Sequence, residues 1–103
     1  MLKSNCVAIH LHDITAAENF YTNVMKFELL IRTNTYLEYD AGRFLLCIDE
    51  DLKQKPPIPS FTVENITTTR RSLLRGGCTI LREDTNSIYF CDSFGIIYDV
   101  MQG

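Results

Sequence analysis

The residues able to hold a metal, move a proton or attack a carbonyl are few in this chain: four cysteines, two histidines and scattered carboxylates. His10 and His12 stand two apart, so on a strand they share a face and could share a metal, but no carboxylate pattern beside them completes a site. Substrate contact or exposure to solvent suits His10 better than ligation, and His12 beside Asp13 reads as exposed and structural. Cys6, Cys47, Cys78 and Cys91 form no C-x-x-C pair. Each lies in an apolar, strand-like run, where cysteine serves as a small buried hydrophobe and stays reduced. Tyr36 and Tyr89 could stack on a flat ligand and donate a hydroxyl hydrogen bond. Glu18 and Glu38 have local structural uses, and the chain holds neither a Ser-His-Asp array nor a phosphate-cradling glycine loop. No catalytic residue is assigned.

The elements that position these residues follow from periodicity. Val7, Ile9 and Leu11 alternate with Ala8, His10 and His12, which is the period of a strand with two different faces. Asp13 ends it. Thr15 and Glu18 read as a T-x-x-E capping box for a helix whose apolar stripe is Ala17, Phe20, Tyr21 and Val24, ending near residues 25–26. Residues 27–33, 36–40 and 43–49 then read as three strands. The stretch 50–59, E-D-L-K-Q-K-P-P-I-P, is charged and proline-rich and is expected to connect rather than to pair.

The pattern then restarts. Phe61, Val63, Asn65 and Ile66 fall 52 positions after Ile9, Leu11, Asp13 and Ile14. A helix over 67–75, with Leu73 and Leu74 on its apolar side and Gly76-Gly77 as C-terminal cap, precedes strands at 78–82, 87–92 and 96–101. The expected architecture is α+β: two βαβββ modules in tandem within one domain over 1–103, the first about 5–49, the connector 50–59, the second about 60–102.

Bulk properties narrow the function. With 103 residues, 46% apolar and 22% charged, the chain has the composition of one soluble globular domain. A net charge of −3 argues against nucleic acid, which demands clustered Lys and Arg. No apolar run reaches membrane-spanning length and the N-terminus M-L-K-S-N lacks an apolar signal core, so a cytoplasmic location and no membrane partner are expected.

Two such modules in a short chain resemble the vicinal oxygen chelate superfamily, which includes glyoxalases, extradiol dioxygenases, fosfomycin-modifying enzymes and bleomycin-binding resistance proteins. The resemblance is carried by V-A-I-H-L-H-D with F-Y-x-x-V-M-K-F, and by Y-F-C-D-S-F-G-I-I-Y-D-V near the end. The run Y-L-E-Y-D-A-G-R-F-L-L-C-I with S-I-Y-F looks most like the fosfomycin branch. It implies that the two sheets curl into a cup, a mixed sheet with the helices on its convex face. Val7, Ile9, Leu11, Phe61, Val63, Tyr98 and Val100 would pack under the helices. Strand alternation then turns Cys6, Ala8, His10, His12, Ser60, Thr62, Ile97 and Asp99 toward the cup. The likeness to the fosfomycin branch adds Tyr36, Leu45, Ser87 and Tyr89.

Enzymes of the superfamily hold a divalent metal in the cup with His, Gln or Glu from the first, fourth, fifth and eighth strands. The corresponding positions here are Cys6, Cys47, Ile58 and Asp99. Ile58 cannot bind a metal, and Asp99 stands where a longer Glu is expected. Two thiols and a carboxylate could hold zinc, but two buried cysteines and one polar wall residue account for them more simply. The expectation is therefore a binding protein without metal or other cofactor. Its small organic ligand would contact Cys6, Ala8, His10, Tyr36, Leu45 and Cys47 in one module and Thr62, Ser87, Tyr89 and Asp99 in the other. A homodimer is expected as well. The alternative is a lyase, isomerase or thiol transferase using an altered metal site.

Overall fold

The computed structural model describes residues 2–103, and in them the chain forms eight strands and two helical segments. They fall into two compact units, one spanning Asn5–Pro57 and the other built on Ile58–Gly103. Each unit is a four-stranded mixed sheet with one helix against one face, so the class is α+β.

In the first unit the order of elements is β1 (Leu2–Leu11), α1 (Ile14–Asn19), β2 (Glu28–Arg32), β3 (Tyr36–Asp40) and β4 (Leu45–Glu50). β4 pairs parallel with β1 and antiparallel with β3, which pairs antiparallel with β2. A parallel neighbour needs a long crossover, and α1 with the β2–β3 hairpin supplies it. Asp13 caps α1 by accepting the Ala16 N–H at 2.9 Å. The cap expected at Thr15 thus lies two residues earlier: Asp13 is a better cap and sits where the strand stops. Glu18 turns instead to Arg32 on β2, 3.0 Å away.

After Asn19 the helix widens into a π-helical turn, Phe20–Val24, closed by the Met25 N–H donating to Phe20 O at 3.0 Å. Lys26, at φ 61°, ends it in the left-handed region. The wider turn rotates the apolar stripe. Ala17 and Tyr21 reach the core, but Phe20 and Val24, expected in the same stripe, are exposed. The core itself is Ile9, Leu37, Tyr39, Leu46 and Ile48 under α1, with Leu11, Ile14, Phe27 and Leu29 packed at its margin.

The second unit repeats this plan in β5 (Lys55–Val63), α2 (Ile66–Arg75), β6 (Thr79–Glu83), β7 (Ser87–Cys91) and β8 (Ile97–Gln102). Here β8 is parallel to β5 and antiparallel to β7, and β7 is antiparallel to β6. Asn65 caps α2 through the Thr68 N–H at 3.0 Å, 52 positions after the Asp13 cap. Both outer hairpins break register at equivalent places, between Leu29 and Ile31 and between Ile80 and Arg82. The second core gathers Val63, Ile66, Ile88, Phe90 and Val100, with Phe61, Leu73 and Tyr98 packed against it. Leu74, expected beside Leu73, is exposed.

β5 begins at Lys55, inside the stretch expected only to connect. Its three prolines precede the ladder with β8, which runs from Ser60 to Val63, so none of them interrupts that ladder.

Candidate functional site

Strand alternation leaves each sheet a second face, turned away from its helix and its core. On the first sheet this face is built in rows across β1, β4 and β3. Cys6 is in register with Leu45, Ala8 with Cys47 and Glu38, and His10 with Asp49 and Tyr36. The sequence-derived residues Cys6, Ala8, His10, Tyr36, Leu45 and Cys47 therefore stand together on one face of one sheet. Ala8, with only a methyl group, separates the His10 and Cys6 rows.

His10 is 8% exposed, an unusual burial for a polar ring. Its Nδ1 lies 3.1 Å from Asp51 Oδ2, just beyond the end of β4. Asp51 is itself held firmly. Its backbone N–H donates to Leu11 O at 2.9 Å, its Oδ1 accepts the Lys53 N–H at 3.1 Å, and Lys55 Nζ sits 3.3 Å from its Oδ2. The Lys53 N–H, with help from Lys55 and His10, holds the Asp51 carboxyl down to about 2, so it is a carboxylate at neutral pH. Asp51 and Lys55 lie in the charged, proline-rich stretch 50–59, whose local pattern marks it as a connector and gives no sign of a site. A buried histidine on a strand parallel to β4 needs a partner near β4's end, and that was the available signal.

Next to this pair, Tyr36 donates its hydroxyl to Glu38 Oε1 at 2.7 Å. Burial, and then the Glu38 carboxylate, push the Tyr36 phenol well above its ordinary range, so it stays a neutral donor. Glu38 Oε1 also lies 3.8 Å from Cys47 Sγ. Glu38 thus faces the site, a role the sequence reading did not give it. Cys47 and Cys6 are joined as a disulfide, with Cα atoms 6.7 Å apart. This corrects the expectation of two separate, reduced cysteines. They are far apart in sequence, but β1 and β4 are neighbours and both side chains leave the same face. Cys78 and Cys91, in the second unit, are free and partly buried, as small hydrophobes are.

On the second sheet the corresponding face carries Ser60, Asp99 and Tyr89 in one row and Thr62, Met101 and Ser87 in the next. The remaining expected residues, Thr62, Ser87, Tyr89 and Asp99, thus share one face of this sheet. All four are partly buried. His12 is exposed, as its position at the end of β1 implies.

Solved structures share this architecture throughout. A hypothetical protein from Bacillus halodurans C-125 superposes with a TM-score of 0.75 at 13% identity, over 98% of this chain and 94% of that one. A protein named NAD-dependent benzaldehyde dehydrogenase, from Legionella pneumophila, does so with a TM-score of 0.77 at 14% identity, over 94% and 96% of the two chains. The Mn(II)-bound glyoxalase from Novosphingobium aromaticivorans matches with a TM-score of 0.63 at 13% identity, over 95% of this chain and 38% of its own length. No family model matches the sequence, and no curated protein matches it. The chain has the fold of the vicinal oxygen chelate superfamily, two βαβββ modules in tandem.

The glyoxalase among these structures is named as Mn(II)-bound, and the donors that this chain offers at the positions the sequence resemblance assigns to a metal do not suit such an ion. Of the four positions that the resemblance assigns to metal ligands, two are Cys6 and Cys47, whose sulfurs are bonded to each other. A third is Ile58, a buried hydrocarbon. Asp99 is then the one oxygen donor of the set, where Mn²⁺ or Mg²⁺ takes several. Among the described residues no three His, Cys, Asp or Glu side chains cluster closely enough to hold an ion.

Proposed function

We propose that this protein binds a small organic molecule on the polar sheet faces of its modules and does so without a metal. The observation that carries the reading is the donor set: the positions that serve a metal in this fold hold a bridged cysteine pair, an isoleucine and one aspartate. What remains is an ordinary ligand surface, with aromatic Tyr36 and Tyr89, small Ala8 and a few polar groups. Glu38, Asp49 and Asp99 bias these faces toward hydrogen-bond donors or a positively charged group on the ligand.

A thermal-shift screen of flat aromatic and cationic small molecules tests this. A ligand that binds only the native state raises the melting temperature, by an amount set by its concentration over Kd. A rise that shrinks in Tyr36→Ala and Tyr89→Ala variants is expected. No rise across a broad panel contradicts the reading.

Two further proposals accompany it. The protein pairs as a homodimer, which micromolar light scattering checks directly; a monomer mass refutes it. It works in the cytoplasm, without a nucleic-acid or membrane partner; no described helix is long and apolar enough to cross a membrane. Fractionation of the host cell checks the location; recovery with the membrane or outside the cell refutes it.

A further inference from the structure

We propose that His10 and Asp51 form an acid–base dyad, in which His10 Nε2 takes a proton from an activated C–H or O–H of a small molecule and Asp51 positions the ring. The dyad lies wholly within the first unit, Asn5–Pro57, and it goes beyond sequestration of a ligand to a chemical step.

The tautomer follows from the partners. A carboxylate only accepts hydrogen bonds, so Nδ1 carries the proton of the neutral ring and gives it to Asp51 Oδ2 at 3.1 Å. The lone pair is thereby left on Nε2. Among the described residues the ring's hydrogen bond is made by Nδ1, and no buried side-chain nitrogen or oxygen there lacks a partner, so Nε2 keeps some contact with solvent although His10 is only 8% exposed. The carboxylate is set for its part by three contacts of its own: the Asp51 N–H on Leu11 O, the Lys53 N–H on Oδ1 and Lys55 on Oδ2. Base, orienting carboxylate and a free proton-accepting atom are the elements that general-base catalysis requires. The same row holds Asp49 and the neutral Tyr36, with Glu38 next to them, and Lys55 is the cation beside the dyad. The sheet face therefore favours a substrate that arrives neutral or positively charged.

The probe is 5-nitrobenzisoxazole, whose ring opening needs a base and nothing else. Nε2 takes the C3 proton, the C–H electron pair becomes part of the nitrile, and the N–O bond breaks to give a coloured phenolate. The imidazolium then returns its proton to water. The wild-type protein is expected to accelerate phenolate release saturably. His10→Gln should lower the rate about 100-fold, the lower end for a positioned base. His12→Gln should leave it unchanged, and Asp51→Asn should lower it without removing binding of the probe.

Two-bond ¹H–¹⁵N correlations on the wild-type protein give a second readout that needs no variant. The Nδ1–H tautomer is expected for His10, and Asp51→Asn should abolish that preference. A wild-type protein no faster than free imidazole, a His10→Gln rate equal to wild type, or an Nε2–H tautomer at His10 would each overturn the proposal.

Discussion

Replacing Tyr39 by Phe removes a single oxygen from the centre of the first core, and the structure allows its cost to be worked out. Tyr39 is fully buried on β3. Its hydroxyl donates to Glu18 O at 3.3 Å and lies 2.8 Å from Thr22 Oγ1, which therefore acts as donor to it. These two bonds tie the sheet to the place where α1 widens into its π-helical turn. The phenol thus adds a hydrogen bond to the Glu18 carbonyl just before the wider turn begins. Each hydrogen bond contributes about 1 kcal/mol net. Phenylalanine keeps the ring packing, including the contact with Tyr21 at 6.0 Å. Thr22 is half-exposed and can turn to water, which offsets part of its loss. The expected cost is about 1.5 kcal/mol, a fall of roughly 0.5–1.5 M in the urea midpoint with an unchanged slope. Thr22→Val should cost less, and the two changes together should cost less than their sum, because both remove the same bond. If Tyr39→Phe is neutral, or the two changes simply add, the hydroxyl does not hold the turn.

Reducing the Cys6–Cys47 bridge opens a loop with a sequence separation of 41, and the chain-entropy argument assigns about 4 kcal/mol to its closure. Urea titrations with and without a phosphine reductant measure this; identical midpoints would mean that the sulfurs are not covalently joined in solution. The Tyr36 phenol predicts an alkaline effect. Because its folded value lies above the unfolded one, its contribution is intact below about pH 10 and is lost as pH rises beyond that. The urea midpoint should therefore fall more between pH 9 and pH 11 in wild type than in Tyr36→Phe, and equal falls would refute the assignment.

The architecture was legible because duplication wrote it twice. Ile9 and Leu11 predict the core face of β1, Phe61 and Val63 that of β5, and each pair packs where its neighbour in the repeat does. Alternation likewise predicted that Cys6, Ala8 and His10 share a face. Local competition hid the rest. Thr15 and Glu18 match a capping box, yet Asp13 captures the helix start because it already stands at the end of β1. The stripe through Phe20 and Val24 assumes 3.6 residues per turn, which the π-helical turn does not keep. Asp51 and the Cys6–Cys47 pair escaped detection for one reason: both depend on β4 lying parallel beside β1, a long-range pairing that local patterning does not encode.

Metal content tests the central claim most directly. The protein should be purified without chelator, dialysed against Mn²⁺, Ni²⁺ and Zn²⁺ in turn, freed of excess ion and analysed by plasma mass spectrometry. The bridged cysteines, Ile58 and the single Asp99 predict metal far below one ion per chain with all three. One ion per chain that disappears in Cys47→Ser or Asp99→Ala would contradict the account and restore the metal chemistry of the superfamily to this fold.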